Sequence, residues 1–167
     1  MNDVTFSAKF ALCHRDAKLP TKRACDAMYD IYAAFDDEYI EIAPHSTALV
    51  PTGLKSTFPN AFCAVVHERG SNTKSCSITQ AGIIDAGYKG QWFIAIYNGN
   101  DVPLFISKYT NEVEKIENTA VIIPYSKAIA QFTFQRVPEA VIQQVDEDYI
   151  DNLDTERGAG CLGSSGK

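Results

Sequence analysis

The stretch ITQAGIIDAGYKGQW, residues 78–92, carries most of the information about the fold of this chain. It begins as an apolar strand, turns through Asp85, Ala86 and Gly87, and resumes as a strand, which is the pattern of a hairpin. Asp85 lies where the first strand ends. An aspartate at that position can begin a turn, because its side chain bonds nearby backbone amides, or it can be held rigidly for chemistry. The stretch alone leaves both interpretations open.

Much of the remaining chain also has strand character. Its segments alternate with period two or are short β-branched runs, and turn signals such as VPTGL, TFPN and NGND separate them. Many short strands at this spacing predict an all-β sandwich or a jelly-roll-like barrel. The predicted strands span residues 4–12, 39–43, 61–67, 92–98, 102–107, 119–125 and 129–137.

Three segments depart from the strand pattern. Residues 24–35, ACDAMYDIYAAF, place apolar side chains at helical spacing, so the local pattern allows a helix there. Residues 108–118 are charged and are interpreted as a solvated loop or a short helix. The chain becomes acidic from about Asp146 and ends in ERGAGCLGSSGK, a composition that predicts a mobile arm. We therefore expect one β-barrel domain over residues 1–150 and a flexible arm over residues 151–167.

Composition limits the possible classes of function. With 167 residues, of which 46% are hydrophobic and 22% charged, the chain is long enough for one globular domain with a real core. A net charge of -6 argues against a duplex-DNA binder with a broad basic face, but not against a small anion held by a few arginines. Five scattered cysteines without a C-x-x-C pair fit reduced thiols better than disulfides or a zinc site. Because no leader and no membrane-length apolar run is found, we expect a cytoplasmic protein.

Three further stretches could carry chemistry. In the glycine-rich ending, backbone amides can approach an anion closely while Ser164, Ser165 and Arg157 add hydroxyls and charge, although the spacing is not that of a Walker A loop. The stretch HERGSNTKS, residues 67–75, could form another anion-binding turn. Asp30 is a carboxylate among apolar neighbours. Each has an ordinary alternative: a plain flexible tail, an exposed hairpin loop, and a turn or cap residue.

The order of these stretches resembles the five motifs of the trimeric dUTP pyrophosphatase (dUTPase) family. Five stretches correspond in order to the family's motifs: DAMYDI to A-G-Y-D-L, ERGSNTK to R-S-G, GIIDAGYKG to G-V-I-D-x-x-Y-R-G, KAIAQFTFQRVP to I-A-Q, and RGAGCLGSSG to R-G-x-G-G-F-G-S-T-G. STALVPTGLKSTFP is similar to the family's connection between the first two motifs. The resemblance covers nearly the whole chain. It implies a dUTPase-like jelly-roll or β-clip barrel, a homotrimer, and strand and turn in place of a helix over residues 24–35.

The resemblance also implies a reaction. The protein would be a dUTP diphosphatase that hydrolyses dUTP to dUMP and pyrophosphate, with Asp85 as the general base that orients and deprotonates water. The hairpin backbone near Gly82 and Ile84 would bond the uracil edge. Tyr88 would pack against deoxyribose and leave no room for a ribose hydroxyl. This implied role favours the chemical interpretation of Asp85 over the turn interpretation.

The remaining matches concern the triphosphate and a metal ion. Asp30 corresponds to the carboxylate that holds water ligands of Mg2+, the expected cofactor. The arm would close over the active site of a neighbouring subunit, and family sites draw their motifs from three subunits, so a lone monomer is expected to be inactive. The other implied substrate-binding residues are Arg69, Gly70, Ser71 and Gln131, with Arg157, Leu162, Gly163, Ser164 and Ser165 in the arm.

The chain departs from the family pattern at several motif positions. Leu162 stands where a phenylalanine usually stacks over uracil, so that aromatic face is lost. Trp92 or Phe93 could supply a ring, although a core strand position is the favoured interpretation for both. The other departures are Met28 for glycine, Lys89 and Ala128 for arginine, and the order R-G-S for R-S-G, which shifts Ser71 by one position.

Two alternative functions come from other classes. A dCTP deaminase-like relative would share the fold, but the Ala86 and Gly87 that follow Asp85 and the phosphate-closing tail favour hydrolysis. A regulatory binding protein would use the lengthened region between the third and fourth motifs, residues 98–120, to dock a protein partner. A loop without a partner is the favoured interpretation of that region. We expect no direct nucleic-acid and no membrane partner.

Overall fold

The structure, a computed structural model, describes residues 5–80, 82–155 and 158. Almost all regular structure in that part of the chain is β-strand, with one 3₁₀ helix over Gly70–Lys74 and one short α-helix, α1, over Glu147–Asp151. The strands are β1 (Lys9–Leu12), β2 (Tyr29–Tyr32), β3 (Tyr39–Ile42), β4 (Thr47–Pro51), β5 (Leu54–Thr57), β6 (Phe62–His67), β7 (Ser77–Gln80), β8 (Ile83–Asp85), β9 (Phe93–Asn98), β10 (Leu104–Ser107), β11 (Glu114–Ile116), β12 (Ala120–Pro124) and β13 (Ala128–Arg136).

The strands form four small sheets around one apolar core. Their orders are β1-β5, β11-β12-β10-β3, β2-β13-β6-β8 and β4-β9-β7. The pairs are antiparallel except β10 with β12, which run parallel. Trp92 is fully buried at the centre, where its ring meets Phe10 and Phe132 and its Nε1 donates to Ser56 Oγ at 3.1 Å. The predicted all-β, jelly-roll-like class is confirmed.

The stretch at residues 78–92 is not the simple hairpin that its pattern predicts. Its first strand, β7, pairs with β9, whereas β8 leaves that sheet and pairs with β6. Gly82 allows this crossing, because a Cβ there would collide with the carbonyl oxygen of Val66. Instead the Val66 amide donates to the Gly82 carbonyl at 2.6 Å. Asp85 therefore lies at the end of an edge strand in a different sheet from the strands before and after it.

Two other segments differ from their local sequence pattern. Residues 24–35 contain strand β2 and turns, so the helix allowed by apolar spacing is wrong and the strand and turn interpretation is confirmed. Residues 108–118 are not only a loop or a helix, because they contain β11, which pairs antiparallel with β12. Backbone pairing holds this strand, since all three of its side chains are exposed. A charged surface strand of this kind has no apolar alternation to reveal it.

The region of residues 98–120 is anchored to the barrel. It contains β10, whose Leu104 and Ile106 are fully buried. At the end of β10, the Lys108 ammonium donates to the carbonyl oxygens of Phe35 at 2.7 Å and Asp36 at 3.1 Å. Tyr125 lies beside it and donates to Asp16 at 3.0 Å. Burial, together with the hydrogen bond to Asp16, raises the pKa of Tyr125 to about 12.

The chain after β13 leaves the barrel surface. The Val137 amide still donates to the Ala61 carbonyl at 2.8 Å, but every described residue from Val137 onward is exposed, including Val141 and Ile142. The short helix α1 was missed by the sequence pattern, and the predicted boundary at residue 150 falls inside it. The division into a barrel and an arm at that residue stays a prediction. No helix among the described residues is long and apolar enough to cross a membrane.

Candidate functional site

A first polar cluster forms where β2, β13 and the end of β6 meet. We call Asp30, Arg69, Ser71 and Gln131 the Arg69 cluster. Strand register places Gln131 opposite both Asp30 on β2 and His67 on β6. Arg69 lies two residues after the end of β6, and its Nε and Nη2 donate to the two carboxylate oxygens of Asp30 at 2.9 and 3.4 Å. Both side chains of this pair are partly buried, so the fork of the guanidinium is held in one orientation.

The same guanidinium also reaches the turn that follows. Arg69 Nη1 donates to Ser71 Oγ at 3.3 Å and to the Ala128 carbonyl at 3.4 Å. Gln131 Nε2 donates to the Glu68 carbonyl at 2.7 Å. Gly70 begins the 3₁₀ helix, and the space where a Cβ would stand is open. A guanidinium, a hydroxyl and an amide thus surround accessible backbone, an arrangement suited to phosphate oxygens.

Asp30 is the carboxylate of this cluster that could serve a metal ion. No group of three or more His, Cys, Asp or Glu residues that could enclose a metal occurs among the described residues. Mg2+ does not require such an enclosure, because it keeps several waters and commonly binds through one or two carboxylates and substrate phosphates. The donor set around Asp30 therefore fits a water-mediated Mg2+ next to a bound phosphate chain.

A second site, the Asp85 pocket, lies at the edge strand β8. It is a shallow cavity of about 290 Å³ lined by Leu49, Ile83, Ile84, Asp85, Tyr88 and Phe93. A carboxylate at the rim of an apolar cavity can act on a water molecule while the cavity holds a flat apolar group.

The free edge of β8 presents a defined row of hydrogen-bonding groups. Antiparallel pairs alternate, so the Val66–Gly82 bond makes Ala64–Ile84 the next hydrogen-bonded pair. The amide and carbonyl of Ile83 and the amide of Asp85 therefore point away from β6, while the Asp85 carbonyl accepts from the Tyr88 amide at 3.1 Å. The edge offers donor, acceptor and donor in sequence. The Gly82 carbonyl and the backbone of Ile84, predicted to bond a base, are used inside the sheet instead.

Tyr88 is fixed by the turn that it belongs to. Its hydroxyl donates to the Gln91 carbonyl at 2.9 Å. Gly90 makes this possible, because a Cβ at that position would overlap the tyrosine ring. Lys89, which replaces the family's usual arginine, donates to the Ala86 carbonyl and to Thr57 Oγ, both at 3.3 Å. The ring of Tyr88 is thus positioned at the pocket before any ligand binds.

Trp92 and Phe93, the two aromatic residues that could supply a ring to the base, lie in different environments. Trp92 is a core residue, which confirms the favoured interpretation. For Phe93 that interpretation is wrong, because the residue is 44% exposed and lines the Asp85 pocket. Leu49 and Ile83 are pocket residues that sequence reasoning missed. Strand alternation, which places adjacent side chains on opposite faces, is the signal that could have shown that Trp92 and Phe93 do not both face the core.

The Arg69 cluster and the Asp85 pocket are far apart within one chain. β2 and β8 are separated by β13 and β6. Asp30 shares a cross-strand row with His67, whereas Asp85 lies opposite Cys63, four residues away along β6. A strand spacing of about 4.8 Å and a rise of about 3.3 Å per residue place the two carboxyl groups on the order of 20 Å apart. The predicted arm residues Arg157, Leu162, Gly163, Ser164 and Ser165 lie outside the described residues.

Comparisons with known proteins identify the family to which the chain belongs. The family model for dUTPase matches residues 15–111, more than half of the chain. A deoxyuridine 5'-triphosphate nucleotidohydrolase of Mycolicibacterium vanbaalenii is 31% identical over 159 residues, which cover 91% of this chain and 90% of the relative. The protein of the same name from Candida albicans is 30% identical over 165 residues, covering 98% of this chain and 90% of the relative.

Solved structures show the same fold. The dUTPase of Staphylococcus bacteriophage 80alpha with dUPNHPP aligns with a TM-score of 0.76 at 24% identity, covering 96% of this chain and 99% of that one. A mutant dUTPase from phage phi11 of S. aureus, described with a structural Mg(II) ion, aligns with a TM-score of 0.67 at 22% identity, covering 84% and 97%. The family predicted from five ordered motifs is confirmed: the chain belongs to the dUTPase family.

Proposed function

We propose that the protein is a dUTP diphosphatase, which hydrolyses dUTP to dUMP and pyrophosphate and so keeps uracil out of DNA and supplies dUMP for dTTP synthesis. The observation that carries the proposal is the position of Asp85, a carboxylate at the rim of a pocket whose strand edge offers donor, acceptor and donor. The relatives that share 30% or more of their residues with this chain are named for that reaction.

The free edge of β8 supports selection of uracil. Uracil presents an acceptor, a donor and an acceptor at O4, N3 and O2, which complement the amide and carbonyl of Ile83 and the amide of Asp85. Cytosine instead has an amino donor at position 4 and a ring acceptor at N3. These would face the amide and the carbonyl of Ile83 and leave polar groups unpaired in the pocket. Thymine shares uracil's edge, so the edge pairing does not distinguish these two bases, and rejection of thymine would depend on a close approach of the hairpin to the 5-methyl group.

Asp85 would activate water for attack on the α-phosphorus. The carboxylate accepts the proton as the water oxygen bonds to phosphorus, and the bond from the α-phosphorus to the bridging oxygen breaks, which releases pyrophosphate. The phosphate oxygens would be held by the Arg69 guanidinium, the Ser71 hydroxyl and the Gln131 amide. Arg69 already donates to Asp30 and Ser71, and Gln131 donates to the Glu68 carbonyl, so these side chains are ordered in advance of binding.

We also propose Mg2+ as the cofactor, held through water by Asp30. When bound, the ion would offset negative charge on the phosphate oxygens. Arg69 orients the Asp30 carboxylate through hydrogen bonds of 2.9 and 3.4 Å. The phi11 phage dUTPase with its structural Mg(II) ion supports a role for this metal in proteins of the same fold.

The distance between the two sites supports the homotrimer that the family resemblance implies, because it calls for a site shared between subunits. Asp85 and Asp30 must act on one triphosphate, yet they lie on the order of 20 Å apart in the chain. We infer that the Asp85 pocket of one subunit faces the Arg69 cluster of another. Exposed apolar side chains beyond β13, among them Val141 and Ile142, favour association. The arm residues from Arg157 onward would complete the site from a further subunit, as the family resemblance implies.

The direct test measures pyrophosphate release from dUTP, dTTP, dCTP and UTP, each with and without Mg2+. We expect turnover with dUTP in the presence of Mg2+ and little with the other nucleotides. Comparable rates with dCTP or UTP would contradict the pairing and sugar-packing arguments. Full activity in a species of monomeric mass by light scattering would contradict the shared site.

Replacing Gly90 by alanine tests the role of Tyr88. The added Cβ would displace the tyrosine ring, whose end is flexible, without touching the core. We expect a nearly unchanged melting temperature and a loss of discrimination between dUTP and UTP on the order of tenfold. Gly87→Ala, in the same turn but with open space around its Cα, is the matched control. Unchanged discrimination in Gly90→Ala would remove Tyr88 from the sugar site.

A regulatory protein partner for residues 98–120 stays a hypothesis, and so does the cytoplasmic location. The deaminase-like alternative gains nothing from relatives and structures that are dUTPases.

A further inference from the structure

The 3₁₀ helix over Gly70–Lys74 carries a buried polar residue, Asn72. It is 8% exposed, whereas the other four residues of the helix are exposed. Asparagine is seldom buried unless its amide is hydrogen-bonded. Here Asn72 Nδ2 donates to the carbonyl of Ile129 at 3.2 Å, a residue 57 positions away along the chain. This side chain therefore connects the helix that follows β6 to the start of β13.

The carbonyl that Asn72 binds belongs to a β-bulge. The register of β13 against β2 passes from Ala128 to Ala130, and pairing with β6 begins at Gln131, so Ile129 is the extra residue of the bulge. Such a residue is left out of the ladder, and its polar backbone groups need another partner when they are buried. Ile129 is 2% exposed. The Asn72 amide satisfies its carbonyl, and the bond fixes the helix at one position along β13.

The bond between Asn72 and the bulge lies next to the phosphate-binding groups of the Arg69 cluster. Ser71 precedes Asn72 in the helix, and the backbone amide of Asn72 donates to the Arg69 carbonyl at 2.9 Å. The Arg69 guanidinium donates in turn to the carbonyl of Ala128, the residue before Ile129. Two successive carbonyls of β13 thus hold Arg69 and Asn72. The spacing between the guanidinium and the Ser71 hydroxyl depends on both bonds.

We propose that Asn72 is a positioning residue, which holds the 3₁₀ helix against the bulge of β13 so that Ser71 and Arg69 meet the phosphate chain in one geometry. Asn72 acts through these two neighbours and not on the substrate, because its own side chain is buried against β13. A displacement of about 1 Å in a binding group is enough to lower the rate strongly. This inference rests on the proposed function, since that function places the phosphates at the Arg69 cluster.

The test uses Asn72→Ala in the full-length assembled enzyme. Ser75→Ala is the matched control, because Ser75 is 2% exposed and its hydroxyl donates to the Asn72 carbonyl at 3.1 Å. The control also truncates a buried polar side chain beside the helix, but it leaves the bond from Asn72 Nδ2 to Ile129 in place. Each variant is assayed for kcat and KM with dUTP, for melting temperature and for mass by light scattering. Inhibition by inorganic triphosphate probes the phosphate site, and inhibition by deoxyuridine probes the base and sugar site.

We expect Asn72→Ala to weaken inhibition by inorganic triphosphate and to lower kcat/KM for dUTP, each on the order of tenfold. Inhibition by deoxyuridine should be unchanged, and Ser75→Ala should leave all three quantities unchanged even if its melting temperature falls. Equal weakening of both inhibitors would overturn the inference and identify Asn72 as a structural residue. A lower melting temperature with unchanged inhibition and kcat/KM would overturn it in the same way, and so would a parallel loss in Ser75→Ala.

A milder truncation, Asn72→Ser, replaces Asn72→Ala in these assays if the alanine variant does not assemble. Failure of both variants to assemble would also overturn the inference. Turnover of dUTP by the unmodified enzyme without a selective change in the Asn72 variants would remove this inference alone. Absence of dUTP turnover in the unmodified enzyme would instead remove the proposed function.

Discussion

Asp85→Asn is expected to lower turnover of dUTP by roughly 10²- to 10⁴-fold, the usual contribution of a positioned general base. Asparagine keeps the size of the side chain but cannot accept the proton of the attacking water. The fold does not depend on the carboxylate, because its side chain is exposed at the end of β8 and the turn is closed by the Asp85 carbonyl. Affinity for a non-hydrolysable dUTP analogue should survive, since the proposed base contacts come from backbone.

Turnover, analogue affinity and melting temperature of this variant separate the two interpretations of Asp85. Asp37→Asn, at another exposed aspartate, controls for loss of one surface charge. If Asp85 were only a turn residue, the variant would show near-normal turnover and at most a modest loss of stability, because asparagine serves such a turn equally well. That outcome would end the proposed mechanism.

The strands were predictable from the sequence, but their partners were not. β6, β9, β10, β12 and β13 match predicted strands to within two residues at each end, because alternation and β-branched runs report local burial. The same signals do not indicate which strands pair with each other. Residues 78–92 therefore read as a hairpin, whereas Gly82 lets β8 pair with β6 in a second sheet.

The candidate site was predictable in its residue types more than in its geometry. The ion pair of Asp30 with Arg69 connects two motifs 39 residues apart, and no local pattern indicates it. The register of β8 against β6 decides whether the backbone of Ile83, or that of Gly82 and Ile84, forms the free edge of the sheet. A shift of one residue would exchange the two sides of the strand. The outward direction of Phe93 likewise depends on which of two adjacent aromatic residues fills the core.

Arg69→Ala should be nearly as harmful to activity as the change at Asp85. The guanidinium bonds the Asp30 carboxylate, Ser71 and the Ala128 carbonyl, so its removal takes away a phosphate ligand and releases the groups around it. Removing one well-placed donor from such a site lowers the rate by about 10²- to 10³-fold. Arg136→Ala, at an exposed position near the end of the same sheet, controls for loss of a positive charge. Normal kcat/KM in Arg69→Ala would exclude the cluster from the site.

The two inactive variants together test whether each site is shared between subunits. Chains with Arg69→Ala keep an intact Asp85 pocket, and chains with Asp85→Asn keep an intact Arg69 cluster. If each site combines the pocket of one chain with the cluster of the next chain around the trimer, every mixed trimer contains about one intact site in three. Co-expression of the two variants with different tags, followed by purification on both, should therefore recover activity on that order, whereas either variant alone stays near zero. A doubly tagged trimer that remains inactive would show that both groups serve one chain, and the distance of about 20 Å between them would then have to close by a rearrangement of the sheet that holds β2, β13, β6 and β8.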